Sequence, residues 1–116
     1  MAKGEDKPLA WLRTEIKTPP LSRAARLEAG FLLRKLQAGE RLGLPHSRPM
    51  PTIGPRCHEL RVVDADQNFR IICRIDPDAI VIAEVFAKKT RQTPREVIEI
   101  CRKRLREYDQ LTADAE

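Results

Sequence analysis

The 116-residue chain predicts an α+β domain: a small antiparallel sheet, three-stranded at its core with an N-terminal strand beside it, packed against an N-terminal and a C-terminal helix. Three observations lead there. From Cys57, three runs rich in β-branched residues, CHELRVV, NFRIICRI and AIVIAEVFA, are separated only by DADQ and DPD, the pattern of antiparallel strands joined by tight turns. Upstream, Leu21, Ala25, Ala29, Leu32 and Leu36 recur at helical spacing. Downstream, Val97, Cys101, Leu105 and Tyr108 do the same.

In chain order, the residues up to Lys7 are polar and expected to be loose, and PLAWLRTEI predicts a short strand with Leu9, Trp11 and Arg13 on one face. Thr18 is the expected N-cap of the first helix, with proline at its first position, and Gly39 closes it. Residues 39–56 hold four prolines and three glycines, which excludes a regular element and predicts a long ordered loop or flap. After the three strands, Thr93, Pro94 and Glu96 form a T-x-x-E capping box that starts the last helix near residue 94. QLTADAE, 110–116, reads as a fraying tail, so the whole chain, 1–116, is one domain with loose ends.

Lys and Arg total 22 against 17 Asp and Glu, a net charge of +5 that favours a polyanionic partner. Aromatic residues make up only 4%, which argues against a module that reads RNA by stacking several bases on aromatic rings. Cys57, Cys73 and Cys101 form no CxxC pair and lie in apolar or amphipathic runs, so they read as reduced core residues; neither a metal site nor a cofactor is expected. The longest apolar stretch, Ala79 to Ala87, is interrupted by Glu84 and too short to cross a bilayer, and the N-terminus lacks a secretory apolar core. The expected location is the cytoplasm, with no membrane partner.

Strand alternation sorts the side chains. With a four-residue loop in the first hairpin, Leu60 and Val62 share a face with Phe69, Ile71, Cys73 and Ile75, and that face must bury against the helices. Arg61, Arg70 and Arg74 then point the other way, with Arg61 directly across from Arg70. Like charges so placed weaken a sheet by a few tenths to about 1 kcal/mol, which argues that something other than stability keeps them. Continuing the register puts Glu84, Phe86 and Lys88 on the arginine face, Glu84 opposite Arg70 and Lys89 at the rim. The bland alternative is that Arg61 and Arg70 are solvated strand residues neutralised by Glu59 and Glu84. The basic run CRKRLRE reads as a solvated helix face able to steer RNA, and His58, on the Leu60 face, as structural.

RCHELRV, FRIICRID, IVIAEVFAKKT and TPREVIEICRKRL, in that order, resemble the RelE/HigB superfamily of bacterial toxins, in its phage-associated branch, over about residues 8–109. The resemblance implies a RelE-like sheet backed by both helices, whose open face binds messenger RNA in the ribosome and cleaves it. By position it assigns Arg61, Arg70, Lys88 and Lys89 to the site. It also implies a neighbouring helix-turn-helix antitoxin, similar to HigA, through which alone operator DNA is bound. Cys73 stands where an aromatic or small residue is usual.

Cleavage without a metal uses the ribose 2′-hydroxyl as nucleophile on the adjacent phosphorus. Arg61 and Arg70 are candidate clamps of the phosphorane oxygens, because a guanidinium fork holds two oxygens at once. Lys88 is the candidate base, on the reasoning that three neighbouring cations favour its neutral amine. Lys89, Arg74, Arg56 and Arg48 are assigned to RNA binding, and Glu84 or Glu59 to orienting those cations or acting as an alternative base. Two other readings stay open: a ParE-like gyrase inhibitor of the same fold, and a non-catalytic nucleic-acid-binding or phage regulatory protein.

Overall fold

The computed structural model describes residues 6–12, 21–64 and 67–115. Along the chain these form β1 (Leu9–Trp11), α1 (Arg23–Gln37), β2 (Ser47–Pro49), β3 (Cys57–Val63), β4 (Asn68–Ile75), β5 (Ile80–Lys88) and α2 (Arg95–Ala115). The five strands make one mixed sheet in the order β1-β5-β4-β3-β2. The three-stranded core is antiparallel as expected. β1 joins it parallel to β5, with Ala10 beside Val81, and β2, cut from the proline-rich stretch expected to be irregular, pairs antiparallel with β3. Edge positions tolerate proline because an edge strand leaves part of its backbone unpaired, which is how Pro49 can end β2.

The predicted hairpin register holds: Arg61 lies across from Arg70, Leu60 from Ile71 and Val62 from Phe69. The next register does not. The turn already pairs Ile75 with Ile80, one residue off, and a bulge between Ile72 and Cys73 adds a second, which sets Glu84 opposite Ile72 and Phe86 opposite Arg70. An extra residue in β5 is invisible in the alternation of so apolar a strand.

The two helices lie on opposite faces of the sheet, not on one. α1 packs Ala25, Ala29, Leu32, Leu33 and Leu36 against Leu60, Val62, Phe69, Ile71, Cys73, Ile80 and Ile82. α2 packs Cys101 and Leu105 against Ile72, Val81 and Ala83 on the other face, together with Met50, Ile53 and Cys57. The cause is in the strands: β5 is apolar on both sides and Ile72 interrupts the arginines of β4, so neither face of the sheet centre can be left in water. α2 therefore covers the middle of the arginine face.

The ends of elements differ from expectation as well. Ser22, not Thr18, caps α1 by accepting the Ala25 amide at 3.1 Å, and Thr18 and Arg13 lie outside the described residues. Asp64, at the β3–β4 turn, holds Ser22 in place by accepting its hydroxyl at 2.7 Å. Gly39 follows the helix with φ +90, a left-handed backbone that glycine adopts without a Cβ clash. Lys7 donates its amide to the Gln37 carbonyl at 2.9 Å and so is tied down rather than loose. The tail is also ordered, since α2 continues to Ala115.

The facing arginines yield a first prediction. Arg61→Thr removes the like charge opposite Arg70 and adds a β-branched residue, so urea denaturation is expected to give a stability equal to or up to about 1 kcal/mol above wild type. A clear loss of stability in that variant would show that Arg61 is retained for the fold.

Candidate nucleic-acid interface

The cations of the arginine face converge on one carboxylate. Glu59, the third residue of β3, has a side chain only 2% exposed, and its Oε1 receives Lys88 Nζ at 3.1 Å, Arg48 Nε at 3.2 Å and Arg70 Nε at 3.4 Å. Its Oε2 accepts the Thr93 hydroxyl at 2.5 Å. The partners come from β2, β4, β5 and the lead-in to α2, so the carboxylate ties four segments together. Burial alone would raise the Glu59 carboxyl, but the hydrogen bonds from Thr93 and Lys88 and the charges of Lys88 and Arg48 outweigh it and hold it below its ordinary value. Arg70 is shifted down by burial, with Arg61 and Arg48 acting in the same sense and Glu59 against them.

Around this buried group the surface is cationic. Arg61 is exposed, and among the described residues its side chain has no hydrogen-bond or ion-pair partner. Lys89 is exposed just past β5, followed by exposed Arg91 and by Arg95, which pairs with Glu99 at 3.0 Å one helical turn on. An outer tier of exposed cations thus surrounds an inner tier, Arg70 and Lys88, whose side chains are 9% and 6% exposed.

Between residues 19 and 106 the sequence matches the family model described as phage derived protein Gp49-like (DUF891). The chain belongs to this Gp49-like family. It is a family of RelE/HigB-like toxin type, for which an antitoxin partner is the general expectation. No curated protein matches the chain.

Within this Gp49-like chain the other residues singled out from sequence scatter. Arg74 is buried and committed elsewhere: Nε reaches Asp76 Oδ1 at 2.8 Å and Nη2 reaches Asp109 Oδ1 at 2.6 Å, so its fork is not free to bind RNA. The Asp109 hydrogen bond raises its affinity for its proton further. Glu84 is no partner of Arg70; it accompanies Arg104 of α2, whose Nη1 lies 3.5 Å away. Arg56 sits at the far end of the face, 3.4 Å from Asp76. Arg48, by contrast, is part of the Glu59 cluster. Lys88 likewise belongs to that cluster, so the cations around it share a carboxylate.

Thr93 was legible only as a helix cap. Its hydroxyl goes to Glu59 instead, and the Pro94 carbonyl accepts the first helical amides, Val97 at 3.0 Å and Ile98 at 3.2 Å. His58 packs toward α1 with Nδ1 3.4 Å from the Ser47 hydroxyl, and burial holds its imidazole below its ordinary value. The cysteines are buried and unpaired; burial pushes the Cys73 and Cys101 thiols up to about 12, out of the reactive range. Among the described residues no helix is long and apolar enough to cross a membrane.

Because the Glu59 pKa is lower folded than unfolded, its contribution is fully present above the ordinary glutamate value of 4.5 and is lost as pH falls through the folded value. Asp109, lowered by its hydrogen bond from Arg74, acts in the same direction at lower pH. Thermal stability is therefore expected to decline gently as pH falls below about 6.5, where His58 takes up its proton more readily in the unfolded chain, and more steeply below about pH 5 as the carboxyls protonate. The same scan on Glu59→Gln should show a smaller acid loss, and an identical one would assign the loss to other carboxyls.

Proposed function

We propose that this protein is the toxin of a toxin–antitoxin module and acts as an endoribonuclease on messenger RNA engaged with the ribosome. The observation that carries the reading is the convergence of Arg61, Arg70 and Lys88 from three adjacent strands: exposed Arg61 faces Arg70 directly, and Arg70 and Lys88 meet beneath the surface on Glu59. Arg61 and Lys89, exposed, meet the RNA backbone first. Arg70 lies beneath them as the second half of a clamp on the scissile phosphate, and Glu59 is the orienting group that fixes Arg70 and Lys88 before substrate arrives.

In this scheme the 2′-oxygen bonds to phosphorus as its proton passes to solvent, and the bond from phosphorus to the 5′-oxygen breaks. The products are a 2′,3′-cyclic phosphate and a 5′-hydroxyl. Lys88, which donates to Glu59 at 3.1 Å, is the group assigned to protonate the departing oxygen. Such chemistry on translated messages implies the cytoplasm, and the family implies a helix-turn-helix antitoxin that covers this face.

One observation favours a second reading. Arg70 and Lys88 are mostly buried and matched by Glu59, as they are in a structural ion-pair cluster, which fits a protein that only grips nucleic acid with its outer cations. Primer extension on messages after induction separates them. Cuts within codons that disappear when ribosomes are blocked are the result expected; intact messages with arrested growth would sink the nuclease, and a DNA-damage response alongside them would point to gyrase.

A further inference from the structure

A second basic concavity lies on the same sheet face, beside the middle turns of α2. It is a cavity of about 510 Å³ between the Ile53–Cys57 turn and the middle of α2, lined by Arg56, Arg74, Arg102 and Arg106 over Ile53, Pro55, Cys57 and Leu105. Asp109 lines it too, and Asp76 lies against Arg56 and Arg74. Four guanidinium groups against two carboxylates leave an excess of two positive charges. Arg74 is consumed by those carboxylates, but Arg106 is exposed and has no partner among the described residues. Arg102 donates to the Thr52 carbonyl and thereby straps the turn to α2.

The turn is also strained in a particular place. Arg56 has φ 63, the one positive φ at a non-glycine position among the described residues. A left-handed backbone costs a side-chain-bearing residue about 1–2 kcal/mol, and such outliers gather at sites of function. Here the outlier is an arginine on the rim of a basic cavity.

We propose that this cavity is a nucleotide subsite for single-stranded RNA, in which Arg56, Arg102 and Arg106 hold a backbone phosphate and the apolar surface of Ile53, Pro55 and Leu105 receives the attached base. The volume suits a nucleotide, and the division into cationic rim and apolar floor matches its two halves. An acidic peptide would use the rim and waste the floor. The cavity also continues the main site: Cys57, Glu59 and Arg61 alternate onto one face of β3, so it lies about 13 Å from Arg61 along the strand. That distance is roughly four nucleotides at the stacked rise of about 3.4 Å. The inference rests on the RNA-binding part of the proposed function and is independent of cleavage.

The test is a titration of the full chain by amide NMR, first with adenosine 5′-monophosphate. Shifts are expected at Gly54, Cys57 and Arg106, with inorganic phosphate needing about tenfold more to produce them because it lacks the base. Arg106→Glu, at an exposed position that leaves the core intact, should weaken binding of a 2′-O-methyl octanucleotide about tenfold at low salt and lower its salt dependence. That oligonucleotide has no free 2′-hydroxyl, so binding is read whether or not the protein cuts RNA. The subsite is overturned if the monophosphate leaves these amides unmoved, if hexaglutamate moves them at lower concentration, or if Arg106→Glu binds as wild type does.

Discussion

Replacing Glu59 by glutamine is expected to lower the melting temperature by roughly 10–20 °C, because it removes the carboxylate that, among the described residues, Arg48, Arg70 and Lys88 share while leaving two of those cations buried. Breaking a buried ion pair from one side costs about 3–5 kcal/mol, most of it the penalty of an uncompensated charge and not the loss of attraction. The amide keeps the shape of the carboxylate and can still accept from Thr93, so the effect isolates charge. It follows that Glu59→Gln combined with Lys88→Met should be more stable than the sum of the single changes, since the second removes a cation that the first orphaned. Circular dichroism melts of the three variants measure this directly. A single variant that melts within two or three degrees of wild type, or strictly additive losses, would mean that the inner cations are solvated and that Glu59 is not their organiser.

Arg70→Ala is expected to reduce ribosome-dependent message cleavage by about 10²–10³-fold, the range seen when one preorganised donor to a developing oxyanion is removed. Arg70→Lys should recover little of it, because an ammonium cannot reproduce a two-oxygen grip. Stability must be followed in parallel: Arg70 is buried, and its loss leaves Glu59 with Arg48, Lys88 and Thr93. The decisive comparison is with Arg74→Ala, two pleat repeats away on the same strand face. That change frees Asp76 and Asp109 and loosens the end of α2, so it should cost stability without a specific loss of cleavage. Equal cleavage losses in the two variants, tracking their melting temperatures, would reduce both arginines to structural cations. Full activity in Arg70→Ala would remove the clamp from the mechanism.

The residues that were legible beforehand share a cause. Period-two alternation is local, and a four-residue loop leaves few registers for β3 and β4, so the meeting of Arg61 with Arg70 could be read from spacing. The β4–β5 register was misread at the turn and again at a bulge, because Ile80 to Ala83 is apolar at every position and offers no phase to follow. Thr93 was ambiguous for another reason: a threonine before proline and three residues ahead of glutamate fits a helix cap, and nothing local indicates that a carboxylate 34 positions earlier takes its hydroxyl. β2 is the remaining surprise, a three-residue edge strand inside a proline-rich stretch, where Ser47 to Pro49 pair with β3 and carry Arg48 to the cluster.

From residue order alone come the three central strands, the two amphipathic helices, the pairing of Arg61 with Arg70 and the basic character of the surface, since each depends on contacts a few residues apart or on composition. Which face each helix covers, which cations share Glu59 and which are diverted to Asp76, Asp109 or Glu84 depend on how segments tens of residues apart pack. Apolar surface on both sides of β5 had to be buried, and placing α2 over one side closed the middle of the arginine face.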